Sequence, residues 1–175
     1  VLLDRGADVH IRGRKGNSVI AAAAYMGSPE MVDGLLKSGA DPMLVDQFGK
    51  SPMCYAAGRG FTEVMRVLLD GGVDVNARYG NGLTAMMWAA GHSADAGYLD
   101  ALEAMDLLLS RGARIDDKDD RGRTALMIAA ELGHDEVVDA LLRHGADVRL
   151  VDNDGKSARE LASTDELRAR LTRSN

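Results

Sequence analysis

The sequence predicts an all-α solenoid: helix–turn–helix units stacked in a row, with β-turns projecting from one side. Three observations carry the prediction. A Leu-Leu-x-x-Gly-Ala signature returns at a fixed interval along the 175 residues. A second signature, Gly-x-[Ser/Thr]-[Pro/Ala] followed by an Ala-Ala pair, keeps the same step. Third, 46% of the residues are hydrophobic but only 4% are aromatic, so the core must be built from Ala, Leu, Val and Met. Thin, closely packed helices suit such a core better than a thick sandwich or barrel.

The first signature reads Leu2-Leu3…Gly6-Ala7, Leu35-Leu36…Gly39-Ala40, Leu68-Leu69…Gly72-Val73, Leu108-Leu109…Gly112-Ala113 and Leu141-Leu142…Gly145-Ala146. Its glycines are spaced 33, 33, 40 and 33 residues apart, one period broken once by seven extra residues. The second signature reads Gly49-Lys50-Ser51-Pro52, Gly82-Leu83-Thr84-Ala85 and Gly122-Arg123-Thr124-Ala125, with weaker copies at Gly16 and Gly155. Self-similarity at a fixed interval marks a repeat architecture. Each element has a physical role. Ser18, Ser51, Thr84, Thr124 and Ser157 are placed to cap a first helix with a hydroxyl. Pro52 falls at a first helical position, where its missing N–H costs nothing. Gly27, Gly60 and Gly133 can end first helices in a left-handed conformation, and Gly39, Gly72, Gly112 and Gly145 can end second helices. Val64, Val67, Leu68 and Leu69, and again Val137, Val138, Leu141 and Leu142, form the buried stripe of an amphipathic second helix.

These paired patterns resemble the ankyrin repeat family, whose unit is a helix, a turn, a helix and a projecting β-turn with a Thr-Pro-Leu-His-x-Ala-Ala core. The resemblance covers nearly all of the chain as one domain. It sets a partial unit over 1–12, repeats over 13–45, 46–78, 79–118 and 119–151, and a C-terminal cap over 152–175. The motif histidine is replaced by Ala21, Cys54, Met87 and Met127, so its hydrogen bonding between turns must be supplied otherwise. Tyr79 and Gly13 stand where other units have Asp46, Asp119 and Asp152. Arg159 replaces a core leucine, which fits an end cap whose outer face meets water.

The resemblance implies a non-enzymatic scaffold that binds another protein on a concave surface of β-turn tips and first helices. Carried over residue by residue, the tips contribute Arg12, Arg14, Lys15, Gln47, Phe48, Lys50, Arg78, Asn81, Asp120, Arg121 and Arg123. The first helices contribute Tyr25, Met26, Arg59, His92, Glu131 and Leu132. Phe48 is expected either as an exposed anchor or packed on its neighbouring turns. Charge along the tips is uneven: basic at the N-terminal end, acidic at Asp116-Asp117-Lys118-Asp119-Asp120. That gradient is read either as a means of orienting a complementary partner or as a solvated surface.

The seven extra residues fall between the two helices of the third repeat, around Gly91–Leu99. Insertions of this kind map to loops that often carry binding, so His92, Asp95 and Tyr98 are candidate contacts. Against this stand a neutral loop, or helices extended by a turn with Tyr98 and Leu99 packed down. Trp88, aligned with Tyr55 and Ile128, is expected in the core. So are Met53, Met86, Met87 and Met127, which serve as gap-fillers.

The net charge of −6 offers no footprint for nucleic acid. One cysteine, Cys54, excludes an internal disulfide and a multi-cysteine zinc site; with no basic neighbour in sequence it reads as structural. The acidic turn matches an EF-hand loop at Asp117, Asp119 and Gly122. Arg121 and Ile128, however, occupy positions where that loop needs ligands. His134 has no second histidine four residues on, and Gly58-Arg59-Gly60 lacks the strand a phosphate loop requires. No catalytic, cofactor or metal residues are therefore assigned. No apolar run reaches the length of a membrane span, and the chain is expected to be monomeric by itself. It opens on Val1-Leu2-Leu3, mid-unit, so it reads as an excerpt or a processed form. A cytoplasmic location is expected, or the bacterial periplasm should a signal peptide precede Val1; Ala, Arg, Asp and Gly usage points to a bacterial source. The alternative is a regulatory module of a longer enzyme or transporter chain.

Overall fold

In a computed structural model, residues 8–91 and 96–173 are described. They form ten helices in pairs: α1 (Val19–Tyr25) and α2 (Pro29–Lys37), α3 (Pro52–Gly58) and α4 (Thr62–Asp70), α5 (Ala85–Ala90) and α6 (Tyr98–Ser110), α7 (Ala125–Leu132) and α8 (Asp135–Arg143), then α9 (Ala158–Leu161) and α10 (Asp165–Arg173). The first helices make one row, α1 on α3, α3 on α5, α5 on α7 and α7 on α9. The second helices make another, α2 on α4, α4 on α6 and α6 on α8. The result is an all-α repeat solenoid.

Each inner helix begins as its hydroxyl predicts. Ser18, Ser51, Thr84 and Thr124 accept hydrogen bonds from the backbone N–H groups of Ala21, Cys54, Met87 and Met127. Ser157 works differently. Its hydroxyl and N–H both donate to the Glu160 carboxylate, each at 2.8 Å. Gly27, Gly60 and Gly133 adopt positive φ after the inner helices, and Gly39, Gly72, Gly112 and Gly145 after the outer ones.

The core lies between the two rows. Alanine pairs Ala56-Ala57, Ala89-Ala90 and Ala129-Ala130 are fully covered, which lets the inner helices approach closely. Met53, Met86, Met87 and Met127 are buried beside them, as expected of flexible gap-fillers. Val64, Leu68, Val137, Val138 and Leu141 form the covered stripes of α4 and α8, while Val67, Leu69 and Leu142 are only partly buried. In the closing unit Arg159 is exposed, whereas Leu167 and Leu171 of α10 are buried.

The β-turn tips are stitched to one another through the backbone. Gln47 N–H donates to Lys15 O, Gly80 N–H to Gly49 O, Asp120 N–H to Asn81 O and Asn153 N–H to Arg121 O, all at 2.9–3.1 Å. Within three of the tips an aspartate fastens the turn. Asp46 Oδ1 accepts from the Phe48 and Lys50 amides, Asp119 Oδ1 from Arg121 and Arg123, and Asp152 Oδ1 from Asp154 and Lys156. These bonds join the turns where the family's histidine is missing. Tyr79 has no such carboxylate. Its turn closes instead through reciprocal backbone bonds between Tyr79 and Leu83, with Asn81 at φ 60°.

The extra residues of the third unit lengthen the second helix. α6 has 13 residues against nine in α2, α4 and α8. Of the alternatives the sequence left open, a longer helix is the one formed, but its new first turn is not packed down: Tyr98 is 46% exposed and Leu99 65%. The contact is made by Asp100, which lies directly against Gly60 of the preceding unit. No helix among the described residues is long and apolar enough to cross a membrane.

Candidate functional site

The inner helices present one position apiece toward the groove, and its occupants are Ala22, Tyr55, Trp88 and Ile128. All four are half-buried. Trp88 packs against the core as the sequence suggested, but only in part: its Nε1 is covered while the residue as a whole stays half-buried. Lys50 Nζ stands 4.9 Å from the Trp88 ring centroid and 5.7 Å from that of Tyr55. Tyr55 in turn meets Tyr25 edge-to-face, with ring centroids 5.7 Å apart.

A second set of cation–ring contacts flanks this ladder. The Arg59 guanidinium lies 4.7 Å from the Tyr25 centroid and 5.2 Å from that of Phe61. Arg59 is therefore half-buried between two rings and does not stand out from the surface as an anchor. Lys15 Nζ lies 5.9 Å from the Phe48 centroid. Phe48 is itself 59% exposed, so it is an open aromatic tip; packing on neighbouring turns is not its arrangement. Between the first two tips and α1 lies an open depression of about 340 Å³, with Lys15, Tyr25, Met26, Asp46 and Tyr55 on its walls. Four of the chain's seven aromatic residues, Tyr25, Phe48, Tyr55 and Trp88, thus share one end of the inner surface.

Asp46 organises this end. Its Oδ2 accepts a 2.5 Å hydrogen bond from the Tyr55 hydroxyl while Oδ1 holds the turn amides. Burial raises the cost of its charge, but the bonds from Tyr55, Lys50 and Phe48 and the Lys50 charge outweigh that cost. The carboxyl is left below its ordinary range. Burial, with the bond to Asp46, pushes the Tyr55 hydroxyl far above its own. Burial also pushes the nearby Cys54 thiol up, so it stays protonated; it is 2% exposed and sits 3.4 Å from the Ser51 hydroxyl.

The remaining candidates divide. Arg14, Gln47, Asn81 and Leu132 are exposed on the tips and on α7. Arg78 pairs with Asp120 across two tips at 3.2 Å, and Arg121 lies 3.4 Å from Asp119. Arg123 is a correction: its side chain is 13% exposed, bonds Glu131 and lies 3.6 Å from Asp152, so both Arg123 and Glu131 are occupied within the stack. Tyr98 opens α6 on the outer row, apart from the depression. His92 and Asp95 lie outside the described residues. The acidic turn is not a free anionic patch either. Asp117 pairs with Arg114, Asp119 holds amides, Asp120 meets Arg78 and Asp116 accepts from the Asp147 N–H. Among the described residues, no group of three or more His, Cys, Asp or Glu is placed to hold a metal.

Sequence reasoning missed Tyr55 and Trp88 as groove residues, and a signal for them existed. The position after it is alanine in every unit, Ala23, Ala56, Ala89 and Ala129, but this one runs Ala, Tyr, Trp, Ile from unit to unit. The buried position before it varies only from Ala to Met, whereas a step from Ala to Trp adds far more volume than the packed row can take up, so part of the ring faces open space.

The family profile described as ankyrin repeats (3 copies) matches residues 19–101 and 94–168. Two curated relatives are similar over a shorter stretch: the ankyrin repeat domain-containing protein 63 of Homo sapiens and that of Mus musculus. Each is 43% identical over 51 residues, which is 29% of this chain and 13% of the relative. Both relatives are mammalian and lend no support to the bacterial source that composition suggested. With its two helix rows, its stitched tips and a profile match over most of its length, the chain belongs to the ankyrin repeat family.

Proposed function

We propose that this chain is a protein-binding module whose partner lies along the inner helices and β-turn tips, anchored at the N-terminal end of the groove. Ankyrin repeats are generally protein–protein interaction modules. The observation that carries the more specific reading is the clustering of Tyr25, Tyr55, Trp88 and the exposed Phe48 on one end of that surface. Aromatic side chains bury large areas at small entropic cost and dominate interface energetics where they cluster near cations. Arg14 and Gln47 flank that anchor, and Asn81, Arg121 and Leu132 continue the exposed surface toward the C-terminal end. No catalytic role is assigned to any residue; Asp46, Tyr55 and Cys54 are held in structural bonds.

The test is affinity capture from the native source with two double variants. Tyr25→Ala with Phe48→Ala removes exposed surface from the groove. Met31→Ala with Leu99→Ala removes comparable exposed surface from the outer helices. Capture is expected to fall at least about tenfold for the first pair, as for loss of interface anchors, and to be unchanged for the second. Loss confined to the outer pair would assign the partner to the opposite face.

A further inference from the structure

The cations of this stack are used in two different ways at its two ends. Toward the C-terminal end several are matched by carboxylates, Arg114 with Asp117, Arg123 with Glu131 and Arg149 with Asp147, and Arg78 of the third tip reaches across to Asp120. At the N-terminal end, Arg12, Arg14, Lys15 and Lys50 have no carboxylate within ion-pair distance among the described residues. Lys15 and Lys50 rest over the rings of Phe48, Tyr55 and Trp88 instead. The inner helices α1, α3 and α5 contain no acidic residue at all. Over the first three tips, residues 10–17, 43–50 and 76–83, Asp46 is the single carboxylate, and it is already bonded by Tyr55 and two amides. A protein of net charge −6 therefore carries one surface on which four cations are left for something outside it.

We propose that the occupant of this surface is an acidic, extended segment of another polypeptide. Its carboxylates meet Lys15 and Lys50, and an apolar side chain enters the depression beside Tyr25 and Met26. The proposal rests on the groove reading above and adds the chemistry of the partner. Half-buried rings lower the local dielectric, so a carboxylate brought to Lys50 gains more there than on an open surface. Asp46 stays ionised and draws on the Lys50 charge, but its oxygens are bonded to the turn amides and the Tyr55 hydroxyl and form no ion pair with Lys50 Nζ. Four cations on an otherwise acidic protein are too few to track a nucleic-acid backbone but suffice for two or three carboxylates.

An unbiased peptide-display selection on the intact chain tests this, followed by fluorescence anisotropy of the enriched peptides. Enriched sequences are expected to be rich in Asp and Glu around an apolar residue. Their binding should weaken with rising salt and fall about tenfold or more in Lys15→Ala with Lys50→Ala. Arg114→Ala, at the matched end, is expected to leave it unchanged. The single tryptophan, Trp88, gives a second readout, since a peptide over Lys50 changes its emission. If the enriched peptides are neutral or basic and are lost in Tyr25→Ala with Phe48→Ala, the acidic preference is overturned and the groove reading stands. Acidic peptides unaffected by either pair of variants would overturn both. A selection that enriches nothing would overturn the extended-segment proposal alone, since capture of a folded partner tests the groove separately.

Discussion

The Tyr55 hydroxyl donates a 2.5 Å hydrogen bond to Asp46 Oδ2, tying the residue that opens a β-turn to the groove side of the helix that follows it. The same carboxylate fastens the turn through the Phe48 and Lys50 amides. One side chain therefore sets the position of both the exposed aromatic tip and the lysine that lies over Trp88.

Tyr55→Phe is expected to lower stability by about 1.5–3 kcal/mol at pH 7, the net worth of one hydrogen bond to a charged group. Burial raises the Asp46 carboxyl, and the bonds it accepts more than reverse this, so its folded value lies below the ordinary 3.8. Such a group contributes stability above its unfolded pKa and loses it as pH falls through the folded value. The gap between wild type and variant should therefore be full at pH 7 and narrow below pH 3.8. Urea unfolding at pH 7 and pH 3 measures this. An equal gap at both would mean that the hydroxyl acts through packing alone.

Much of this arrangement is legible in the sequence. Hydroxyl caps, helix-ending glycines and the two apolar stripes are local signals repeated four or five times, and repetition makes each one credible. What was not legible depends on contacts between units. Arg123 reads as one more basic tip residue until the fold sets Glu131 and Asp152 around it. Arg59 reads as an open cation until Tyr25 of the preceding unit and Phe61, two residues on, close over it. The added residues near Tyr98 lengthen α6 because Asp100 finds a glycine, Gly60, to lie against. No local pattern announces that.

The two glycines Gly49 and Gly80 meet backbone to backbone. A Cβ on Gly49 would come 2.6 Å from Gly80 Cα, and one on Gly80 would come 2.9 Å from Gly49 Cα. Neither neighbour has a side chain that can move aside, and the Gly80 N–H bond to Gly49 O would be broken. Gly39, by contrast, has positive φ but open space around it. Gly39→Ala is expected to cost about 1–2 kcal/mol, the strain of a left-handed alanine. Gly49→Ala should cost clearly more, because it adds the clash to the same strain. Thermal unfolding of both variants checks the order, and a smaller loss at Gly49 would contradict the close contact.

Arg123 is tied to Glu131 and Asp152 within the stack, so its replacement is expected to affect stability and not binding. Arg123→Ala strips one ion pair from Glu131 and leaves the covered Asp152 without its nearby guanidinium. A loss of about 1 kcal/mol is expected, with no change in partner affinity. Affinity that falls together with stability to the same degree as in the Phe48 variant would return Arg123 to the binding surface.

The contact between Lys50 and Trp88 can be read directly, because the chain has one tryptophan. Lys50 Nζ stands over the Trp88 ring at 4.9 Å from its centroid. Lys50→Ala should shift Trp88 emission to longer wavelength and raise its quenching by acrylamide, at a stability cost below about 1 kcal/mol. Lys15→Ala should leave the emission where it is, since Lys15 lies over Phe48 instead. Equal shifts in the two variants would mean that the groove opens as a whole. A shift from Lys50 alone would establish the cation as the cover of the ring, and hence the group that a partner must displace or bind.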